Sequence, residues 1–233
     1  MQWQDKGIIL SQRPYKESYS LVSVFTYHQG RYSGIIRLGR QPSMRAQLQP
    51  GNFVQAQWQA RLSEHLGSWK FESEQMPWTH LLSSPHRLAA LSSACTLLDK
   101  ALPERHPYSD LYDNFVELLS ILLSDQDWQR AYLRFELNLL SCLGFGLTLE
   151  FCAVTRSSKN LSHVSPKTGH AVCEAAAKPY ADRLLKLPAF LLDEKAPYTK
   201  VDLQAAYHLT GYFLRRYIFE NKELPPLRQK LAA

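Results

Sequence analysis

The sequence predicts an α+β protein in which an N-terminal five-stranded barrel, residues 1–80, precedes a C-terminal all-helical domain, residues 81–233. Two observations carry this. Apolar residues recur with a period of two as far as Glu74, and the period changes to about 3.6 near Pro77. Strands and helices are also segregated along the chain, which argues against alternating βαβ units and a parallel sheet.

Lys6–Leu10 and Ser18–Phe25 are short β-rich runs. Thr26-Tyr27-His28-Gln29-Gly30 then forms a hairpin-like turn. In the strand that follows, alternation puts Arg31, Ser33 and Arg37 on one face and Tyr32, Ile36 and Leu38 on the other. After the turn at Leu48-Gln49-Pro50-Gly51, Val54, Ala56, Trp58, Ala60 and Leu62 face inward and Gln55, Gln57, Gln59 and Arg61 outward. From Leu66 to Glu74, Trp69 and Phe71 face inward, with Lys70, Glu72 and Glu74 outward. Five short strands suit a small closed barrel of the OB type, because a sandwich usually needs about seven.

The helical part begins with a stripe of Leu88, Leu91, Cys95, Leu98 and Leu102 that stops at Pro103. A second helix covers Asp110–Ser124 on Leu111, Phe115, Leu118 and Leu122. A third covers Asp127–Leu143 on Trp128, Tyr132, Phe135, Leu139 and Cys142, with Gly144 as its stop. The three are expected to form one bundle. An irregular insert at about 150–188 separates them from a last helix, which opens on the capping box of Thr199 and Asp202 and ends before Pro225-Pro226.

The formal charge is +6, and residues 1–50 hold seven lysines and arginines against Asp5 and Glu17. Such a local excess on a β-domain favours a polyanion, of which nucleic acid is the commonest in a cell. The candidate phosphate contacts are Arg31, Arg37, Arg40 and Arg45, supported by Lys6 and Lys16. Tyr27, Tyr32, Phe53 and His28, near turns, are candidate stacking rings, while Trp58 and Trp69 alternate into the core.

Catalytic motifs are missing: there is no phosphate-binding Gly-Lys loop, nucleophile elbow, His-Glu-x-x-His helix or paired acidic motif, so no enzyme is expected. Gly144-Phe145-Gly146 reads as a helix stop and turn. Cys152, His163, His170 and Cys173 lack the tight paired spacing of a structural zinc site, so no cofactor is expected. The four cysteines form no disulfide framework, and Cys95 and Cys142 read as small buried hydrophobes. Without an apolar leader or a bilayer-length apolar stretch, the expected location is cytoplasmic.

The order of several segments resembles the bacterial recombination mediator family RecO, or recombination protein O. They are Trp3, Gly7-Ile8-Ile9-Leu10-Ser11, Glu17-Ser18, Phe25-Thr26, Gly30-Arg31, Leu38-Gly39-Arg40 and Leu48-Gln49-Pro50-Gly51, then Leu133–Leu140 with Leu143-Gly144-Phe145, Cys152-Ala153 and Ser165-Pro166-Lys167-Thr168-Gly169 before Cys173. The resemblance implies a non-enzymatic DNA-repair protein, nucleoid-associated during repair. Such a protein binds single- and double-stranded DNA, anneals complementary strands and acts with RecR. It also implies binding of the acidic tail of single-stranded DNA-binding protein and help in loading RecA. Arg134, with Arg130 one turn earlier, is the candidate for the tail carboxylate. Zinc-bearing members of the family carry two C-x-x-C pairs. Here the second positions are Thr155 and Ala176. The alternative reading is a zinc-stapled nucleic-acid-binding adaptor without annealing activity.

Overall fold

A computed structural model describes residues 1–38, 42–62 and 65–232. Strand β1 (Gln2–Tyr15) serves two neighbours, shifting register between Ile9 and Ser11. Residues Gln2–Ile8 pair antiparallel with β4 (Phe53–Gln59), and Gly7–Tyr15 pair antiparallel with β2 (Tyr19–Thr26). Strand β2 forms a hairpin with β3 (Gly30–Arg37), and β4 forms one with β5 (Gly67–Gln75). A short parallel pairing, Gly34 with Gly67 and Ile35 with Ser68, joins β3 to β5 and closes the barrel in the order β1-β2-β3-β5-β4.

The alternation in the sequence is the inside–outside pattern of this barrel. Ile9, Val22, Val24, Tyr32, Val54, Ala56, Trp58 and Trp69 fill it, with Trp3, Ile36, Leu38 and Phe71 at its margin. Two indoles also tie strands together: Trp58 Nε1 donates to Ser33 O at 3.2 Å and Trp69 Nε1 to Val22 O at 3.1 Å. A buried indole needs such a partner, and the barrel wall supplies it. Leu62 is the exception to the alternation. It lies beyond the end of β4 and is exposed.

Helix α1 (Pro42–Gln47) connects β3 to β4. After β5 come α2 (Pro77–Leu81), α3 (Pro85–Ala101) and α4 (Ser109–Leu122). Helix α3 lies against β1 and β2, burying Leu91, Cys95 and Leu98. The chain accordingly forms two compact units, Met1–Gln126 and Asp127–Ala233. Residue 80 marks where the hydrophobic period changes, whereas packing keeps α2–α4 with the barrel. The bundle expected of three helices is also divided: α4 packs on α3, and α5 (Trp128–Cys142) packs on α7 (Lys200–Tyr217).

Within the second unit the irregular insert holds a small antiparallel sheet, where the sequence predicts an all-helical domain. Its strands β6 (Leu161–Val164), β7 (Ala171–Cys173) and β8 (Leu185–Lys186) lie in the order β7-β6-β8. The short helix α6 (Glu174–Ala177) follows β7, and α8 (Pro226–Leu231) follows α7. Helix α7 starts at the expected capping box, in which Asp202 N donates to Thr199 Oγ1 at 3.2 Å and Thr199 N to Asp202 Oδ2 at 2.9 Å. Cys142, the last residue of α5, is exposed and not the buried hydrophobe that the stripe predicts. No helix among the described residues is long and apolar enough to cross a membrane.

A charged pair is sealed between α5, α7 and α8. Arg228 is 1 % exposed and Glu136 0 %. Arg228 Nε donates to Glu136 Oε1, and its second nitrogen donates to Glu136 Oε2 at 3.0 Å, Tyr207 O at 2.9 Å and Thr210 Oγ1 at 3.0 Å. Thr210 Oγ1 donates in turn to Glu136 Oε2 at 2.6 Å. Burying two ions is tolerable when lone pairs and protons are matched in this way.

Candidate nucleic-acid interface

The cations singled out in the sequence do not converge. Arg31 is committed inside the first unit: its Nε donates to Leu102 O at 2.8 Å, and its guanidinium lies 3.3 Å from Glu104 and 3.7 Å from Asp99. Only 16 % of the side chain is exposed, and Arg31 pins β3 to the segment after α3. Its partners lie some seventy residues away in sequence. Arg40 lies outside the described residues.

Lys6 is exposed at the other end of the β1–β2 pair, beside the β2–β3 turn. Its ammonium sits 3.8 Å from the centre of the Tyr27 ring and 5.5 Å from that of Tyr112. Tyr27 Oη donates to Asp113 Oδ2 at 3.4 Å, and this carboxylate raises the phenol above its ordinary range. Lys6 therefore lies over tyrosine rings, separated by seven strand residues, roughly 23 Å, from Arg13. Arg45 is exposed in the last turn of α1.

Register brings together a different set. On β1, β2 and β3, Tyr15 lies opposite Tyr19, and Tyr19 opposite Arg37; one step along, Arg13 lies opposite Leu21, and Leu21 opposite Ile35. Directly opposed residues share a face of the sheet. Arg13, Tyr15 and Arg37 are exposed there, Tyr19 is half-buried, and Lys16 in the β1–β2 turn sits 5.6 Å from the Tyr15 ring. The outer wall thus carries three cations around two phenol rings, the combination that holds a nucleic-acid backbone while stacking bases.

Of the six basic residues proposed from sequence, the structure places Arg37 and Lys16 in this patch. Arg13, Tyr15 and Tyr19 are not singled out by spacing or charge, and the signal that finds them is the hairpin register of β1 with β2. Among the expected stacking rings, Tyr32 is 7 % exposed and belongs to the barrel core, a correction that follows from its place on the inner face. Phe53 is half-buried, and Tyr27 and His28 pack edge-to-face near the Lys6 end. The His28 N–H and ring face Asp5, at 2.6 Å and 3.0 Å, which orders the turn.

In the second unit, Arg130 is 16 % exposed. It donates to Asp127 Oδ2 at 3.2 Å and Ala196 O at 2.9 Å, with the Phe190 and Tyr198 rings beside it. Its guanidinium therefore clamps the start of α5 to the segment around Ala196. Arg134 is 45 % exposed and pairs with Glu194, itself 70 % exposed.

At the C-x-x-C positions that the resemblance implies for zinc, Cys152 and Cys173 pack with Val172 and Ala177 and against Leu161, Ala176 and Leu184. With Thr155 and Ala176 in the remaining places, this donor set does not fit a four-ligand zinc ion. Among the described residues no group of three or more His, Cys, Asp or Glu side chains could hold a metal ion.

Two family descriptions match this chain: recombination protein O N terminal over residues 1–73 and recombination protein O C terminal over residues 82–224. The chain belongs to the recombination protein O family. A relative from Rhodospirillum rubrum, named DNA repair protein RecO, is 42 % identical over 99 % of this chain and 94 % of its own length. Relatives of the same name from Ruegeria and Sinorhizobium medicae are 42 % and 40 % identical, covering 98 % and 95 % of this chain and 95 % and 89 % of their own lengths. The RecO N-terminal match takes in β1–β4 and most of β5, and the C-terminal one takes in α3, α4 and α5.

Proposed function

We propose that this chain is a non-enzymatic recombination mediator of DNA repair, working in the cytoplasm at the nucleoid. It binds single- and double-stranded DNA, anneals complementary strands, and with RecR helps load RecA onto DNA coated by single-stranded DNA-binding protein. The observation that carries the DNA-binding part is the in-register patch of Arg13, Tyr15, Tyr19 and Arg37 with Lys16 beside it. Cations there neutralise phosphates and release condensed counterions, while rings take bases without regard to sequence. Annealing follows because a surface that screens two polyanions lowers their mutual repulsion and leaves base edges free to pair.

A salt titration of fluorescent single-stranded DNA tests this reading. Arg13→Glu with Arg37→Glu weakens binding and flattens the dependence of log affinity on log salt by about two contacts. An unchanged slope would remove the patch from the DNA site. The same sample anneals complementary strands in magnesium and leaves their length unaltered, whereas shortened products would mark a nucleic-acid-processing enzyme.

For the tail of single-stranded DNA-binding protein, Arg134 is the contact of choice in the second unit, since Glu194 is an exposed partner that an incoming carboxylate can replace. Arg134→Ala lowers tail-peptide affinity on the order of tenfold, the loss of one charge-assisted hydrogen bond. Full affinity in that variant would exclude the residue.

A further inference from the structure

Three aromatic rings in the second unit lie nearly parallel. Phe213 and Tyr217, one turn apart on α7, stack at 6.0 Å and 14°, and Phe145, beyond the end of α5, stacks on Tyr217 at 4.5 Å and 3°. The run leads from core to solvent: Phe213 is buried, Tyr217 half-buried and Phe145 37 % exposed. One face of Phe145 rests on Tyr217, so its open surface is the opposite face and the edge.

Backbone bonds fix this last ring in place, with Gly144 N donating to Ser141 O at 2.9 Å and Phe145 N to Leu140 O at 2.8 Å. Its neighbours Gly144 and Gly146 are exposed and carry no side chain, and a Cβ built on Gly144 would meet nothing within 4 Å. Cations stand beside the rings. The Arg216 guanidinium lies 5.2 Å from the centre of the Tyr217 ring and donates to Pro166 O, which brings the β6–β7 loop, with its exposed Lys167, to the same end of α7. Among the described residues neither cation is ion-paired. Parallel stacking is the geometry in which a nucleobase continues a pile of rings, and unpaired cations alongside suit the phosphates that flank it.

We propose that the open face of Phe145 stacks a base of single-stranded DNA, with Lys167 and Arg216 beside the adjoining phosphates. The second unit thereby makes a DNA contact of its own, in addition to the barrel patch of Arg13, Tyr15, Tyr19 and Arg37. This site rests on the reading of the chain as a binder of single-stranded DNA. It accepts any base, because every base has a π-face.

Photocrosslinking of the full-length chain to an oligonucleotide carrying iodouracil tests the proposal, because the excited base joins to an aromatic ring stacked on it. The expected adduct is on the peptide containing Phe145. Phe145→Ala lowers affinity for fluorescent oligothymidine about tenfold, and Phe145→Tyr retains it. Neither change removes a charge, so the slope of log affinity against log salt is unaltered. On an abasic strand, which keeps the phosphates and lacks the bases, Phe145→Ala binds as tightly as the parent. Adducts confined to Tyr15 and Tyr19 would overturn this site and leave the barrel patch in place, whereas an unaltered chain without affinity for single strands would overturn both. A tenfold loss on the abasic strand as well would overturn the stacking role, since it would show that Phe145 acts through the fold alone. Because the adduct is sought first in the unaltered chain, a poorly folded variant does not remove the test.

Discussion

Replacing Arg228 with methionine lowers the stability of the second unit by about 3–5 kcal/mol, because it leaves the Glu136 carboxylate buried without its counter-ion. The loss is not confined to one contact. Thr210 Oγ1 loses its donor, Tyr207 O loses the guanidinium at 2.9 Å, and α8 loses its anchor to α5 and α7. Urea denaturation followed by circular dichroism measures the loss, and hydrogen exchange of α5 and α7 amides locates it. The double replacement Glu136→Leu with Arg228→Met restores most of the stability, since two packed apolar chains need no compensation. A single variant as stable as the parent would mean that the pair is solvated in solution.

Gly30→Ala is expected to cost on the order of 2–4 kcal/mol in the first unit, combining a left-handed backbone with a backbone clash. Gly30 has φ of +81°, and an added Cβ would fall 2.0 Å from His106 O and 2.4 Å from the His106 carbonyl carbon. Main chain cannot retreat by changing rotamer, so the β2–β3 turn or the segment after α3 must move. The bridge between Arg31 and Glu104, and the bond from Arg105 N to Arg31 O at 2.9 Å, oppose that movement. Gly144→Ala is the control, with φ of +84° and nothing within 4 Å of the added atom. It bears only the conformational cost, about 1 kcal/mol. Equal thermal shifts for the two variants would show that the His106 contact is not tight.

Local physics was legible in the sequence, and long-range pairing was not. The alternation of Val54, Ala56 and Trp58 specified a barrel face because a strand's period is a property of the strand alone. Thr199 and Asp202 specified a helix start for the same reason, since both partners lie within one turn. The ion pairs of Arg31 were not legible because its acids, Asp99 and Glu104, belong to a different part of the chain. The patch of Tyr15, Tyr19 and Arg37 was hidden because register, not spacing, brings its members together. The strands β6–β8 are only two to four residues long, with a register shift between Leu161 and His163, and so carry no period to detect.

The distance in sequence between Glu136 and Arg228 also sets an order of events during synthesis. The two residues are 92 positions apart, and the ribosome makes the acid first. The barrel and α2–α4 belong to one compact unit, Met1–Gln126, which can assemble while translation continues. Helices α5 and α7 cannot bury their facing surfaces at full strength until the guanidinium of α8 arrives, because Glu136 would enter the interior as an uncompensated ion. The second half of the nascent chain therefore waits, with apolar faces uncovered, for a single late side chain. During translation, that interval is when this protein most needs protection from aggregation.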